Sequence, residues 1–206
     1  MRHLLAILAM LVLAQCAGKE DDRFRVGESP RAYVIIGVAE SASNTVEAYR
    51  MLWRQVGANG RFIPNYNRRT SFEPLTNSRS SIRIRGIPGE FEMYEVDPGT
   101  YGLDSIFATI SERNVVYFAN GVIQGPERPT FNVAPGEAVY LGIWEMTLNE
   151  TTAVGRPWRL DEADLRAVMR AARDPIIGAP VLRETTPRDV PCAAHRLNNI
   201  TQRQVC

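Results

Sequence analysis

The sequence predicts a mainly β fold: an antiparallel β-sandwich with one C-terminal α-helix and an extended tail. Three observations carry this expectation. Short runs rich in β-branched and aromatic residues recur from Ala32 to Trp144. Two of the joints between them are Pro-Gly turns, at Pro98-Gly99 and Pro135-Gly136. One apolar stripe at helical spacing follows the last strand, beginning near Leu165.

The elements follow in order. Ala32-Tyr33-Val34-Ile35-Ile36-Gly37-Val38 is short and continuously apolar, so it reads as a buried strand. Between Val46 and Val56, Tyr49, Met51 and Trp53 fall two apart, as one face of a sheet requires. Ser81 to Gly86 alternates with period two. In the next strand Phe91, Met93 and Glu95 share one face, and Glu90, Glu92 and Tyr94 share the other, which alternation assigns to water. Thr100–Ile106, Val115–Ala119, Thr130–Val133 and Ala138–Trp144 complete the strands. Many short strands joined by such turns point to a sandwich or barrel.

The helix has its own signals. Asp161 caps it, and Leu165, Val168, Met169 and Ala172 fall at i, i+3, i+4 and i+7. Acids Asp161, Glu162 and Asp164 open it while Arg166, Arg170 and Arg173 lie toward its end, which suits the helix dipole. Asp174-Pro175 stops it. From 174 to 206 the chain carries four prolines (Pro175, Pro180, Pro187 and Pro191) and little periodicity. It reads as a tail laid over the domain.

Composition sets the class. The 206 residues are 45% hydrophobic, 23% charged and 8% aromatic, which excludes collagen-like, coiled-coil and disordered chains. Twenty-four basic residues face 23 acidic ones, so no net field invites nucleic acid as a partner.

The N-terminus points to export. Met1-Arg2-His3 is a short basic start, and Leu4 to Leu13 is an unbroken apolar run. Ten residues in helical rise cover about 15 Å, half the roughly 30 Å of a bilayer core. Such a run is too short to span and right for the central region of a secretory signal. Residues 17–30 are polar, with Gly18, Gly27 and Pro30, and read as a tether.

Leu13-Ala14-Gln15-Cys16 resembles the lipobox of bacterial lipoproteins, with Gln15 in place of the usual small residue. The resemblance implies lipidation of Cys16 as the first residue of the mature chain, and a membrane partner through that anchor. Ala17 directly after the cysteine then implies outer-membrane sorting, facing the periplasm. The competing reading is ordinary signal cleavage after Ala14, giving a soluble periplasmic protein. Of the three cysteines, lipid on Cys16 leaves Cys192 and Cys206 to pair as a disulfide in an oxidising compartment. The expected organisation is a signal over 1–15, a lipidated start and tether over 16–30, a sandwich over 31–160, a helix over 161–173 and a tail over 174–206.

Val96 to Leu103 and Val133 to Gly142 share a scheme of strand, Pro-Gly turn, and strand with an aromatic. This pattern resembles the prealbumin-like β-sandwich modules of bacterial envelope lipoproteins of unknown function, in which "PGxY" and "PGExVYLG" recur. It implies a fold and no activity.

Catalytic signatures are absent: no G-x-S-x-G, G-x-x-x-x-G-K or H-E-x-x-H occurs, and His3 and His195 are the only histidines. No catalytic residue, cofactor or metal is therefore assigned. Cys192-x-x-His195 with Cys206 offers three metal ligands, but two distant cysteines in an exported chain favour the bridge. Glu90, Glu92, Asp97 and Asp104 lie close enough in sequence to consider an envelope hydrolase using a carboxylate pair as the alternative. The segment from Arg61 to Arg85 carries Arg68, Arg69, Arg79, Arg83 and Arg85 against Glu73 alone. These arginines are candidate contacts for anionic lipid or an acidic envelope partner. Trp53, Trp144 and Trp158 either fill the core or line a sugar or peptide groove. The functional expectation is a structural or binding role in the cell envelope.

Overall fold

A computed structural model of the chain describes residues 23–41, 46–112, 115–122, 125–173, 175–197 and 203–206. In chain order the strands are β1 (Phe24–Arg25), β2 (Ala32–Glu40), β3 (Val46–Val56), β4 (Ser71–Phe72), β5 (Ile82–Arg83), β6 (Glu90–Val96), β7 (Gly99–Glu112) and β8 (Val115–Val122). Then come β9 (Glu127–Val133), β10 (Ala138–Asn149), β11 (Thr152–Arg159) and the helix α1 (Glu162–Ala171). Five short strands end the chain: β12 (Ile176–Ile177), β13 (Val181–Leu182), β14 (Thr186–Asp189), β15 (His195–Arg196) and β16 (Gln204–Val205).

Two sheets face each other. One, here the helix-side sheet, has the order β11-β10-β2-β6-β5, with β13 also beside β10. The other, the tail-side sheet, has the order β14-β9-β7-β3-β4, with β8 beside the far half of β7. Trp53 from β3 and Trp144 from β10 meet edge to face between them, with ring centroids 5.4 Å apart. Tyr49, Met51 and Trp53 are all fully buried in this inter-sheet core, the face that their spacing foretold.

The helix-side sheet is covered on both sides. Val34, Ile36 and Val38 of β2 face the other sheet, whereas Ile35 and Ala39 pack with Leu165 and Val168 of α1. A strand buried on two faces needs no polar alternation, which explains the continuous apolar run of β2. The pairings of the helix-side sheet are antiparallel as expected, except those of β10 with β2 and with β13. β2 and β10 run parallel, with Tyr33 opposite Ala138 and Glu40 opposite Met146, while the tail-side sheet is antiparallel throughout.

The helix starts where its cap was expected. The Asp161 carboxylate accepts hydrogen bonds from the backbone N–H groups of Ala163 (2.7 Å) and Asp164 (3.2 Å). Those two bonds hold the Asp161 carboxyl below the usual carboxylate range. The segment Asp161-Glu162-Ala163-Asp164 is thus a capped helix start.

Three sequence expectations need correction. Residues 23–30 are more than tether: Phe24 is buried under the helix-side sheet, and β1 pairs in parallel with β12. The tail is not simply extended. It adds β13 to one sheet edge and β14 to the other, using free backbone groups of existing strands and so needing no periodicity of its own. Finally, only Ile82–Arg83 of the Ser81–Gly86 alternation is strand.

Candidate functional site

The turn motif that marked the sequence also shapes the surface. Tyr140-Leu141-Gly142 lies in β10, and Gly142 sits at φ +75°, a left-handed conformation that favours glycine. The register of β10 shifts at this point, between Tyr140 and Ile143 against β2 and between Ile143 and Trp144 against β11. A Cβ on residue 142 would lie 2.4 Å from the Arg159 carbonyl oxygen, so only glycine allows this approach. β13 pairs with Val139–Tyr140 and β11 with Ile143–Asn149, leaving a gap along the edge of β10.

A cleft of about 290 Å³ occupies that gap, lined by Leu141, Pro157, Trp158, Leu160, Arg183 and Glu184 among others. A second cleft of about 390 Å³ also has Trp158 in its wall, with Ala39, Glu40, Arg83, Ile84, Ile87 and Glu145 among its other lining residues. Trp158 is the shared wall of both. It is 50% exposed, whereas Trp53 and Trp144 are wholly buried. The three tryptophans therefore divide, two in the core and one on the surface.

The arginines lining the clefts are held. Arg159 pairs with the buried Asp164 at 2.6 Å, Arg183 with Glu137, and Arg83 with Glu90 at 2.7 Å. Glu145 pairs with Arg156 of the same edge. Burial alone would raise the Glu90 carboxyl, but hydrogen bonds from Ser81 and Arg83 outweigh it and hold it below the usual range.

Of the carboxylates considered for hydrolysis, Glu90, Glu92 and Asp104 have side-chain partners. Glu90 and Glu92 project to the same side of the sheet as Val38 and Ile36, not to an open wet face. Their strand belongs to a sheet covered on both sides, so the apolar Phe91 and Met93 go under the helix instead. Glu92 accepts from the Tyr94 hydroxyl, and burial pushes its carboxyl up. Asp104 is fully buried and paired with Arg54 at 2.6 Å. It also accepts from the backbone N–H of Cys206 at 3.0 Å. Asp97 belongs to the turn before β7, where its carbonyl oxygen accepts from the Tyr101 hydroxyl at 2.7 Å.

The remaining sequence candidates fall as follows. Cys192 and Cys206 form a disulfide, with Cα atoms 4.9 Å apart, which removes both as metal ligands. His195 is exposed on β15. Among the described residues no three His, Cys, Asp or Glu side chains are grouped to hold a metal. Arg68 and Arg69 are exposed on the loop before β4, and Arg79 and Arg85 flank β5 in the other sheet. None of these four is ion-paired to a described residue, unlike Arg83. Cys16 and the signal lie outside the described residues, and among those described no helix is long and apolar enough to cross a membrane.

Sequence reading missed β11 and the buried Arg54–Asp104 pair. Pro157-Trp158 ahead of the Asp161 cap was a usable signal for the first, since proline within a strand marks an edge. The second had none, because Arg54 and Asp104 stand 50 residues apart.

No protein-family model matches the chain, and no curated protein matches its sequence. Among solved structures it is similar to a Bacteroides fragilis NCTC 9343 protein named for a conjectured role in cell adhesion, with TM-score 0.32 and 10% identity. The alignment covers 65% of this chain and 48% of that one, so the chain spans about half of that protein's length. Likeness at this level carries no argument about function.

Proposed function

We propose that the chain is an exported lipoprotein, anchored to the cell envelope through Cys16, whose sandwich serves a structural or binding role. One observation carries the reading. With Cys192 and Cys206 bonded to each other, Cys16 is the one cysteine left, and it stands directly after the apolar run at lipobox distance. A bridge of this kind also suits an oxidising compartment, where exported domains mature. Soluble periplasmic residence is the alternative.

The test is the Cys16→Ser variant expressed in a bacterial host. Loss of an acylated N-terminus by mass spectrometry, with movement of the protein from the detergent to the aqueous phase, is the expected result. Unchanged partition would overturn the anchor.

Anionic lipid at the membrane surface is the partner we propose for Arg68, Arg69, Arg79 and Arg85, which are exposed and lack carboxylate partners among the described residues. Binding of the Cys16→Ser chain to anionic vesicles should weaken steeply as salt rises. Binding that ignores ionic strength would remove these residues from the reading.

A further inference from the structure

We infer that Trp158 and the two clefts it lines form a binding site for an uncharged oligosaccharide. The inference rests on the binding role proposed above and names the ligand class; it does not depend on the anchor.

The first support is the exposure of Trp158. An indole left half exposed on a strand where every neighbour from Arg156 to Arg159 is also exposed is not filling a core. Its flat face matches the C–H face of a pyranose ring, an apolar surface rimmed by hydroxyls. The second support is the pair of clefts. At about 290 and 390 Å³, with Trp158 lining both, they suit neighbouring sugar units, at the small end of small-molecule sites. Apolar floor is present in both, from Leu141 and Leu160 on one side and from Ile84 and Ile87 on the other.

Charge decides the class of ligand. Arg159, Arg183 and Arg83 are the arginines lining the clefts, and every one is already bound to a carboxylate. A phosphate or carboxylate ligand would have to compete for a guanidinium that is spoken for. Paired side chains keep unused N–H groups and oxygen lone pairs, held in fixed positions, and hydroxyls satisfy both kinds. Glu184 adds an exposed acceptor and Thr185 a hydroxyl. The gap that admits the ligand is built into the backbone by Gly142, not left by a mobile side chain.

The experiment uses the intrinsic fluorescence of the full processed chain. Trp53 and Trp144 are wholly buried, so acrylamide quenching reports chiefly on Trp158. The probes are neutral hexasaccharides of glucose, mannose and N-acetylglucosamine, with a proline-rich peptide and a hexauronate as comparators. At least one neutral hexasaccharide should shield Trp158 from acrylamide. Binding read by calorimetry should weaken about fivefold to tenfold in Trp158→Ala, the scale of one ring contact. It should survive in Trp158→Tyr and in Val154→Thr, which alters another exposed apolar residue of the same strand.

Failure of every neutral hexasaccharide to shield Trp158 would overturn the inference. So would equal loss in the Val154 variant, preference for the hexauronate, or shielding by the peptide alone. The titration runs alike on acylated protein in detergent and on the Cys16→Ser chain from the aqueous phase. A failed anchor therefore shows in partition, and a failed sugar site shows in quenching.

Discussion

The two sheets cover their outer faces by opposite means. Over the helix-side sheet, α1 and β1 close an apolar cluster that includes Phe24, Ile35, Phe91, Tyr140, Ile143, Leu165 and Val168. Over the tail-side sheet the apolar contacts are small: Leu52, Phe107 and Val205 in one group, and Val56, Phe62 and Val190 in another. The rest of that cover is polar and covalent. Arg54 and Asp104 pair beneath it, and Arg128 donates to the carbonyl oxygens of Val190 and Asp104 at 3.1 and 3.0 Å. The Cys192–Cys206 bridge then closes the chain end over them. A helix with an apolar stripe seats itself by burial; an irregular segment lacks the stripe and has to be tied.

The largest expected effect lies under the tail. Asp104→Ala would leave the Arg54 guanidinium buried without its carboxylate, at a cost of about 3–5 kcal/mol. The Cys206 N–H would lose its acceptor as well. Chemical denaturation measures the loss. Arg54→Met combined with Asp104→Leu should recover the part that comes from the unpaired charge, because an apolar pair avoids the desolvation cost, while the Cys206 N–H stays without its acceptor. If Asp104→Ala alone cost under about 1 kcal/mol, the pair would not hold the cover and the contrast between the faces would fail.

Much of this contrast was legible in the sequence, but on one face only. The Leu165, Val168, Met169 and Ala172 stripe and the Asp161 cap are local, and α1 formed where they placed it. The apolar run of β2 is equally local and reports burial without saying by what. The tail-side cover depends on pairs far apart in sequence, Arg54 with Asp104 and Arg128 with Val190, for which no spacing rule exists. Glu90 and Glu92 misled for a related reason: alternation names two faces, but which face is wet depends on layers that the strand does not contain. The Trp158 site was half legible. A tryptophan beside a proline was visible; the gap at Gly142 that holds one of its clefts was not.

The next effect sharpens the helix side. Leu165 is 4% exposed and packs in the cluster beneath α1. Leu165→Ala should cost about 3 kcal/mol, through lost transfer energy and the cavity left behind. Because burial is what seats α1, the cost should change little between low and high salt.

The bridge comes next. Its cysteines are 14 residues apart, and closing a loop of that size contributes about 3 kcal/mol in the chain-entropy model. Cys192→Ala should therefore lower stability by about 2–3 kcal/mol and expose the chain end to limited proteolysis. Proteolysis of the first half of the chain at the same rate would show that the bridge serves the whole fold and not the tail.

The smallest effect isolates the polar character of the tail cover. Arg203 donates to Glu73 at 2.5 Å and lies over the Phe107 ring, 3.9 Å from its centroid. Leu197 donates its N–H to the Arg203 carbonyl oxygen at 2.8 Å, so the side chain is carried by the closing hairpin of β15 and β16. The pair is partly exposed, 16% for Arg203 and 31% for Glu73, and water screens it. Its coupling should therefore be about 0.5–1 kcal/mol in a double-mutant cycle of Arg203→Gln and Glu73→Gln. Arg203→Gln alone should cost somewhat more than the coupling, since the ring contact with Phe107 is worth a further ~0.5–1 kcal/mol. At 1 M salt the Debye length falls to about 3 Å, and the Glu73 coupling should largely vanish while the Leu165→Ala cost persists. If salt erased both effects or neither, the two faces would be covered by the same forces after all.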